Sequence, residues 1–210
     1  MSRSVKATYT FFLLVFSLGT YFVIQKSVND MGIDLMMPLD SMIPQIPSFV
    51  WVYHSLLPVI VFTSVFVVEQ KKNVYSLVLS CIISTIILNI FYIYLPCFYP
   101  RAGFELQLTG ISEHVLHWTR EIDGSNNTFP SGHVTFSWLM FWAIYMSSAS
   151  NTRKWLVPTY LIWASLVSFS TLALKQHYIV DVLSGMMLAS FAYLLSRKIV
   201  YNANNRKQHE

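Results

Sequence analysis

The run VYSLVLSCIISTIILNIFYIYL, residues 74–95, carries no Asp, Glu, Lys, Arg or His. As an α-helix rising 1.5 Å per residue, it is long enough to cross the roughly 30 Å hydrocarbon core of a bilayer. The rest of the chain has the same character. Of its 210 residues 54% are hydrophobic, 16% aromatic and only 11% charged, against about 25% charged in an ordinary soluble domain. This composition excludes a water-soluble fold, because the apolar surface exceeds what such a chain can bury. Run lengths predict six spans, at about 7–25, 49–68, 74–95, 133–150, 155–174 and 178–196. The expected fold is therefore all-α: a six-helix transmembrane bundle forming one domain over residues 1–210. The first apolar run follows Arg3 and Lys6 as a signal peptide would, but it is long and no small-x-small cleavage site follows it. It reads as a retained helix.

The net charge of +4 is distributed as membrane topology rather than as a nucleic-acid surface. With the N-terminus cytoplasmic, the inner segments hold ten of the 14 basic residues: Arg3, Lys6, Lys71, Lys72, Arg153, Lys154, Arg197, Lys198, Arg206 and Lys207. The outer side keeps Lys26, Arg101, Arg120 and Lys175, together with eight of the ten acidic residues. Both termini are thus expected in the cytoplasm. Three segments face outward: the Pro-rich 26–48, the long polar 96–132, and the tight turn 175–177.

That turn precedes the last span and places His177 and Asp181 four residues apart. On a helix the two side chains share a face. A carboxylate on one imidazole nitrogen fixes the tautomer and makes the other nitrogen nucleophilic. The same pair could equally be an ion pair tying two helix ends. A second cluster, Phe129-Pro130-Ser131-Gly132-His133, opens the fourth span. Pro130 suits a helix start, and Gly132 lets backbone approach a ligand. The free amides of that helix start, with the Ser131 hydroxyl, can hold an anion, and His133 beside it can protonate a leaving oxygen. A plain Pro-Ser-Gly turn with an interfacial histidine would give the same letters. Both histidines nevertheless fall on the outer side, at the ends of different helices.

These two motifs resemble those of the type 2 phosphatidic acid phosphatase superfamily, whose members include integral-membrane lipid phosphatases and phosphotransferases. The resemblance implies a metal-free and cofactor-free mechanism through a phosphohistidine. His177 would be the nucleophile, Asp181 its orienting partner and His133 the general acid, with Ser131 and Gly132 on the phosphate oxygens. The family's first motif, Lys-x6-Arg-Pro, is reduced here to Arg101, with Tyr94 and Ala102 at the lysine and proline positions. In the third motif Ser170-Thr171 stands where Ser-Arg is usual, and Lys175 is a candidate replacement charge. A point charge and a planar fork are different phosphate ligands. Ser-Thr before His-Tyr-x-x-Asp, with the Pro-rich 43–53 stretch, is similar to the inositol phosphorylceramide synthase-like branch.

The expected function is hydrolysis of a lipid phosphomonoester or pyrophosphate at the outer membrane face. That face is periplasmic or extracellular in a bacterium and luminal on a eukaryotic endomembrane. The alternatives are head-group transfer to a lipid or sugar hydroxyl, and a non-catalytic lipid-binding protein. The expected partners are a membrane lipid phosphate and the bilayer, with no nucleic acid. Glu113 and His117, four apart, share a helix face as metal ligands sometimes do, but an amphipathic interfacial helix explains them equally and no third ligand is evident. His54 reads as a helix-packing hydrogen bonder. Asn126-Asn127-Thr128 is a sequon on the outer side. Cys81 and Cys97 read as small buried hydrophobes.

Overall fold

The computed structural model describes residues 1–28, 32–148 and 154–206. Its long helices are α1 (Arg3–Ser27), α5 (Lys71–Tyr94), α7 (Gly132–Ser148), α8 (Leu156–Ala173) and α9 (Ile179–Arg206). Shorter ones are α2 (Pro38–Met42), α3 (Val50–His54), α4 (Leu56–Phe62) and α6 (Ile111–Asp123). Among the described residues there is no strand, only isolated bridges pairing Ile33 with Cys97 and Phe98 with Asn126.

The second span is not the single helix over 49–68 that run length predicts. It runs from Pro47 to Val67 as a 3-10 turn (Pro47–Phe49), α3, α4 and a π turn (Thr63–Val67). Pro58 explains the break after α3, because its ring excludes the carbonyl four residues back, that of His54. The break falls at Ser55, whose N donates to the carbonyls of Trp51 and Val52, both at 3.1 Å. The other helices shift by a few residues from the expected bounds, and α9 runs ten residues beyond Ser196, to Arg206. Ala149 and Ser150, at the expected end of the fourth span, lie outside the described residues, as do Arg153, Lys207 and Glu210.

α7 is the centre of the bundle and packs on α5, α8 and α9. Its Val134, Leu139, Met140 and Ala143 are fully buried. α1 lies outside, against α5 and the π turn, and buries only Lys6, Thr10 and Ile24. Its Phe11, Phe12 and Val23, each more than 60% exposed, suit a lipid-facing surface, where a helix satisfies its own backbone. Among the described residues five helices are long and apolar enough to cross a membrane: Arg3–Ser27, Pro47–Val67, Lys71–Tyr94, Leu156–Ala173 and Ile179–Asn205. α7, the fourth of the six expected spans, has 17 residues, or about 25 Å of rise.

Arg3, Lys6 and Lys72 gather at one end of the bundle. Lys6 Nζ donates to the Val68 carbonyl at 3.0 Å, Lys72 lies 4.7 Å over the Tyr201 ring and Arg3 lies 5.5 Å from the Phe66 ring. The opposite end is stitched from the loops before α2, after α5 and before α7. Ile33 N donates to Pro96 O, Phe98 N to Ile33 O and Tyr99 N to Ser125 O. Gly32 is required there, because a Cβ would stand 2.4 Å from Pro96 O. α6 lies across α3, with Trp51 Nε1 donating to Ser112 Oγ and His54 Nε2 bonded to Thr119 Oγ1 at 2.8 Å. Its Ile111 and Trp118 are exposed, as in an interfacial helix. His117 pairs with Glu121 at 3.3 Å rather than with Glu113, and among the described residues no three acidic, His or Cys side chains are placed to hold a metal ion.

Candidate active site

α8 ends at Ala173, and the chain turns through Lys175, whose φ of 57° is left-handed. Gln176 N and His177 N both donate to the Thr171 carbonyl, at 3.0 and 3.2 Å. α9 begins at Ile179, so His177 belongs to the turn, where the expected 175–177 segment puts it, and Asp181 to the first turn of the helix. His177 Nδ1 lies 2.8 Å from the Thr128 carbonyl and 3.5 Å from Asp181 Oδ2. A carbonyl only accepts, so Nδ1 carries a proton, and in the neutral ring the lone pair is then on Nε2. Asp181 is fully buried and its Oδ2 accepts from Tyr178 N at 2.8 Å. The carboxylate thus holds the start of α9 as well as facing the imidazole.

The second motif is fastened to the first through backbone. Ser131 N donates to Asp181 O at 3.0 Å, and Thr135 Oγ1 donates to Gly185 O at 3.3 Å. A Cβ on Gly185 would stand 2.8 Å from Ser131 O and 3.1 Å from Val134 Cβ, so α7 and α9 approach this closely only because of that glycine. The Phe129–Pro130 peptide is cis, and Tyr92 Oη donates to Pro130 O at 3.0 Å. Ser131 Oγ accepts from Val134 N at 3.4 Å, as a helix cap does. The leading amides of α7 have no acceptor within the helix. His133 stacks on Tyr53, ring centroids 3.8 Å apart and planes at 22°.

Both histidines line one cavity of about 320 Å³, together with Gly132, Tyr53, Asp123 and Asn127. The sequence profile of the PAP2 superfamily matches residues 72–205, a stretch that includes both histidine motifs and α5 to α9. The chain belongs to the PAP2 superfamily. Members of this superfamily are generally phosphatases or phosphotransferases. Neither a curated protein nor a solved structure matches the chain.

The two cations expected at the phosphate are occupied elsewhere. Arg101 donates to the carbonyls of Arg120 and Gly124 and to Gln176 Oε1, so its guanidinium ties the outer loops to the histidine turn. Lys175 is buried; its Nζ donates to Asp40 O at 3.1 Å and Ile43 O at 2.6 Å and lies 4.9 Å over the Phe104 ring. Burial lowers its pKa, against the opposing charge of Asp40. Asp40 in turn accepts from Ile179 N at 2.8 Å. The Lys175 charge therefore anchors α2 over the start of α9, and neither cation lines the cavity.

Asp123 is one of the eight acidic residues of the outer segments, with no motif around it to mark a role. In the structure its carboxylate accepts from Tyr21 Oη at 2.6 Å and from Tyr53 Oη, joining α1, α3 and α6 beside His133 in this PAP2 site. Burial opposes its ionisation, but His133, the two tyrosine hydroxyls and His177 outweigh burial and hold the carboxyl below the usual range. No spacing in the sequence could signal this residue, because its partners lie 70 and 102 positions away. The sequon is also absorbed into the fold: Asn126 is buried and its Nδ2 donates to the carbonyls of Gln25 and Val28.

Proposed function

We propose that this PAP2 protein is a membrane lipid phosphatase that works through a phosphohistidine on His177. The observation that carries the proposal is His133 and His177 on one cavity, with the His177 proton held on Nδ1 by a backbone carbonyl. Nε2 of His177 attacks the phosphorus of a lipid phosphomonoester or pyrophosphate. The bond from phosphorus to the leaving oxygen breaks, and His133 gives that oxygen its proton. Water, giving a proton to His133, then attacks the phosphohistidine, releasing phosphate and regenerating both histidines. Asp181 and the Thr128 carbonyl stabilise the charge that develops on the His177 ring. The leading amides of α7 beside Gly132 and His133 take the equatorial oxygens, while the Ser131 hydroxyl, fully buried and outside the cavity lining, caps the helix. In this reading Arg101 and Lys175 hold the surrounding loops in place. The route needs neither metal nor cofactor.

In the bilayer α7 joins the five longer helices as the fourth of six crossings, the basic end with both termini lies in the cytoplasm, and the site opens on the outer face. His177→Ala is expected to abolish phosphate release from lipid phosphates in mixed micelles, and full activity in that variant would overturn the assignment. Head-group transfer is the second reading, favoured by Ser170-Thr171 standing where the family usually has Ser-Arg. With radiolabelled phospholipid and a lipid alcohol supplied together, free phosphate supports hydrolysis and a new phosphorylated lipid supports transfer.

A further inference from the structure

The cavity does not end at the histidines. Along α5 its wall runs through Tyr92, Leu88, Thr85 and Cys81, eleven residues or about 16 Å of helix. On α1 the wall runs from Tyr21 to Leu14, and on the second span from Tyr53 to Ile60. All three walls stop near the middle of their helices. There Leu14, Leu56, Ile60 and Cys81 pass into the close-packed core, which closes the floor. Apart from a hydrogen bond between Ser17 and Thr85 at 2.7 Å, this arm is walled mainly by aliphatic and aromatic side chains. The polar groups His133, His177, Asp123 and Asn127 are gathered at its mouth, with His54 and Thr119 also in the lining and Asn89 on the α5 wall between Leu88 and Tyr92.

We infer that this arm binds one hydrocarbon chain of the substrate, head at the histidines and chain end at mid-bundle beside Cys81. The inference rests on the proposed phosphate site. An apolar floor excludes a polar or charged ligand, which would lose its water without gaining a partner. The volume limits the occupancy: 320 Å³, mouth included, is about twice the ~150 Å³ of a cavity that holds one benzene, so the arm takes at most about a dozen carbon atoms. One chain of that length fills the space, and two do not fit. The arm is therefore a length gauge for a single alkyl or isoprenyl chain, with α1 as one of its walls.

Alkyl phosphonates with a diazirine at the chain end test this without catalysis, since their carbon–phosphorus bond is not a substrate for hydrolysis. With protein in lipid nanodiscs, the twelve-carbon probe is expected to label Leu14, Ile60 or Cys81. A six-carbon probe is expected to label the level of Tyr21 and Leu88. Excess plain dodecyl phosphonate should suppress both. Cys81→Trp should shift the twelve-carbon label away from the floor while leaving six-carbon labelling in place, which also reports that the variant is folded. Labels independent of chain length, or equal labelling of the outward-facing Phe11 and Phe191, would overturn the inference. Depth-dependent labelling in a protein that releases no phosphate would keep the arm and reject the catalytic reading.

Discussion

At His177 the tautomer is set by the Thr128 carbonyl at 2.8 Å, while Asp181 stands back at 3.5 Å. The residue four positions on was visible in the sequence, but the carbonyl that orients the ring was not, because it comes from a loop 49 residues away. The same holds at His133, whose ring is stacked against Tyr53, with the Tyr53 hydroxyl on Asp123. Asp123→Asn is expected to lower the rate of phosphate release by about tenfold, part of the 10²–10⁴ a general acid supplies, and Asp123→Glu to recover some of it. The measurement is kcat across a pH series; an unchanged profile would confine Asp123 to joining helices. Its folded pKa is depressed, so the stability it contributes is present above the unfolded value near 4 and is lost as pH falls through the lower folded value. Acid unfolding in detergent should therefore lose this component in Asp123→Asn.

The helices meet at the site through glycine and through capping. Gly185 lets α9 lie against Ser131 and Val134. Gly185→Ala is expected to cost about 1–3 kcal/mol by overpacking and to reduce activity by displacing the start of α7. Gly19, in the interior of α1 with open space around its Cα, gives the contrast: Gly19→Ala should be neutral or stabilise by about 0.5–1 kcal/mol through helix propensity. Thermal unfolding of the two variants in one detergent checks both. The short α2 acts at this scale too, since Asp40 accepts from the first amide of α9 and Lys175 donates to the Asp40 and Ile43 carbonyls. Run length found the long helices. It missed the break in the second span, because a proline within an apolar run leaves hydropathy unchanged while removing a backbone donor.

Across the molecule, the basic residues at the starts of α1 and α5 and the end of α9 meet at one end, and His133 and His177 lie at the other. Single cysteines in a Cys81→Ser, Cys97→Ser background test the orientation. A thiol reagent that cannot cross membranes, added to intact cells, is expected to react at Glu105→Cys and to spare Ser2→Cys and Ala203→Cys; the reverse pattern would invert the topology. The sequence by itself determined that the chain is helical and membrane-embedded, that its charge is asymmetric, and that two histidine motifs precede adjacent helices. Those properties are local, written in run length, spacing and side-chain type. The tertiary structure alone decided that Arg101 and Lys175 turn away from the cavity, that Asp123 turns toward it, and that the cavity reaches to mid-bundle. Each of those depends on which distant carbonyl or hydroxyl satisfies a buried polar group, and a one-dimensional pattern does not carry that information.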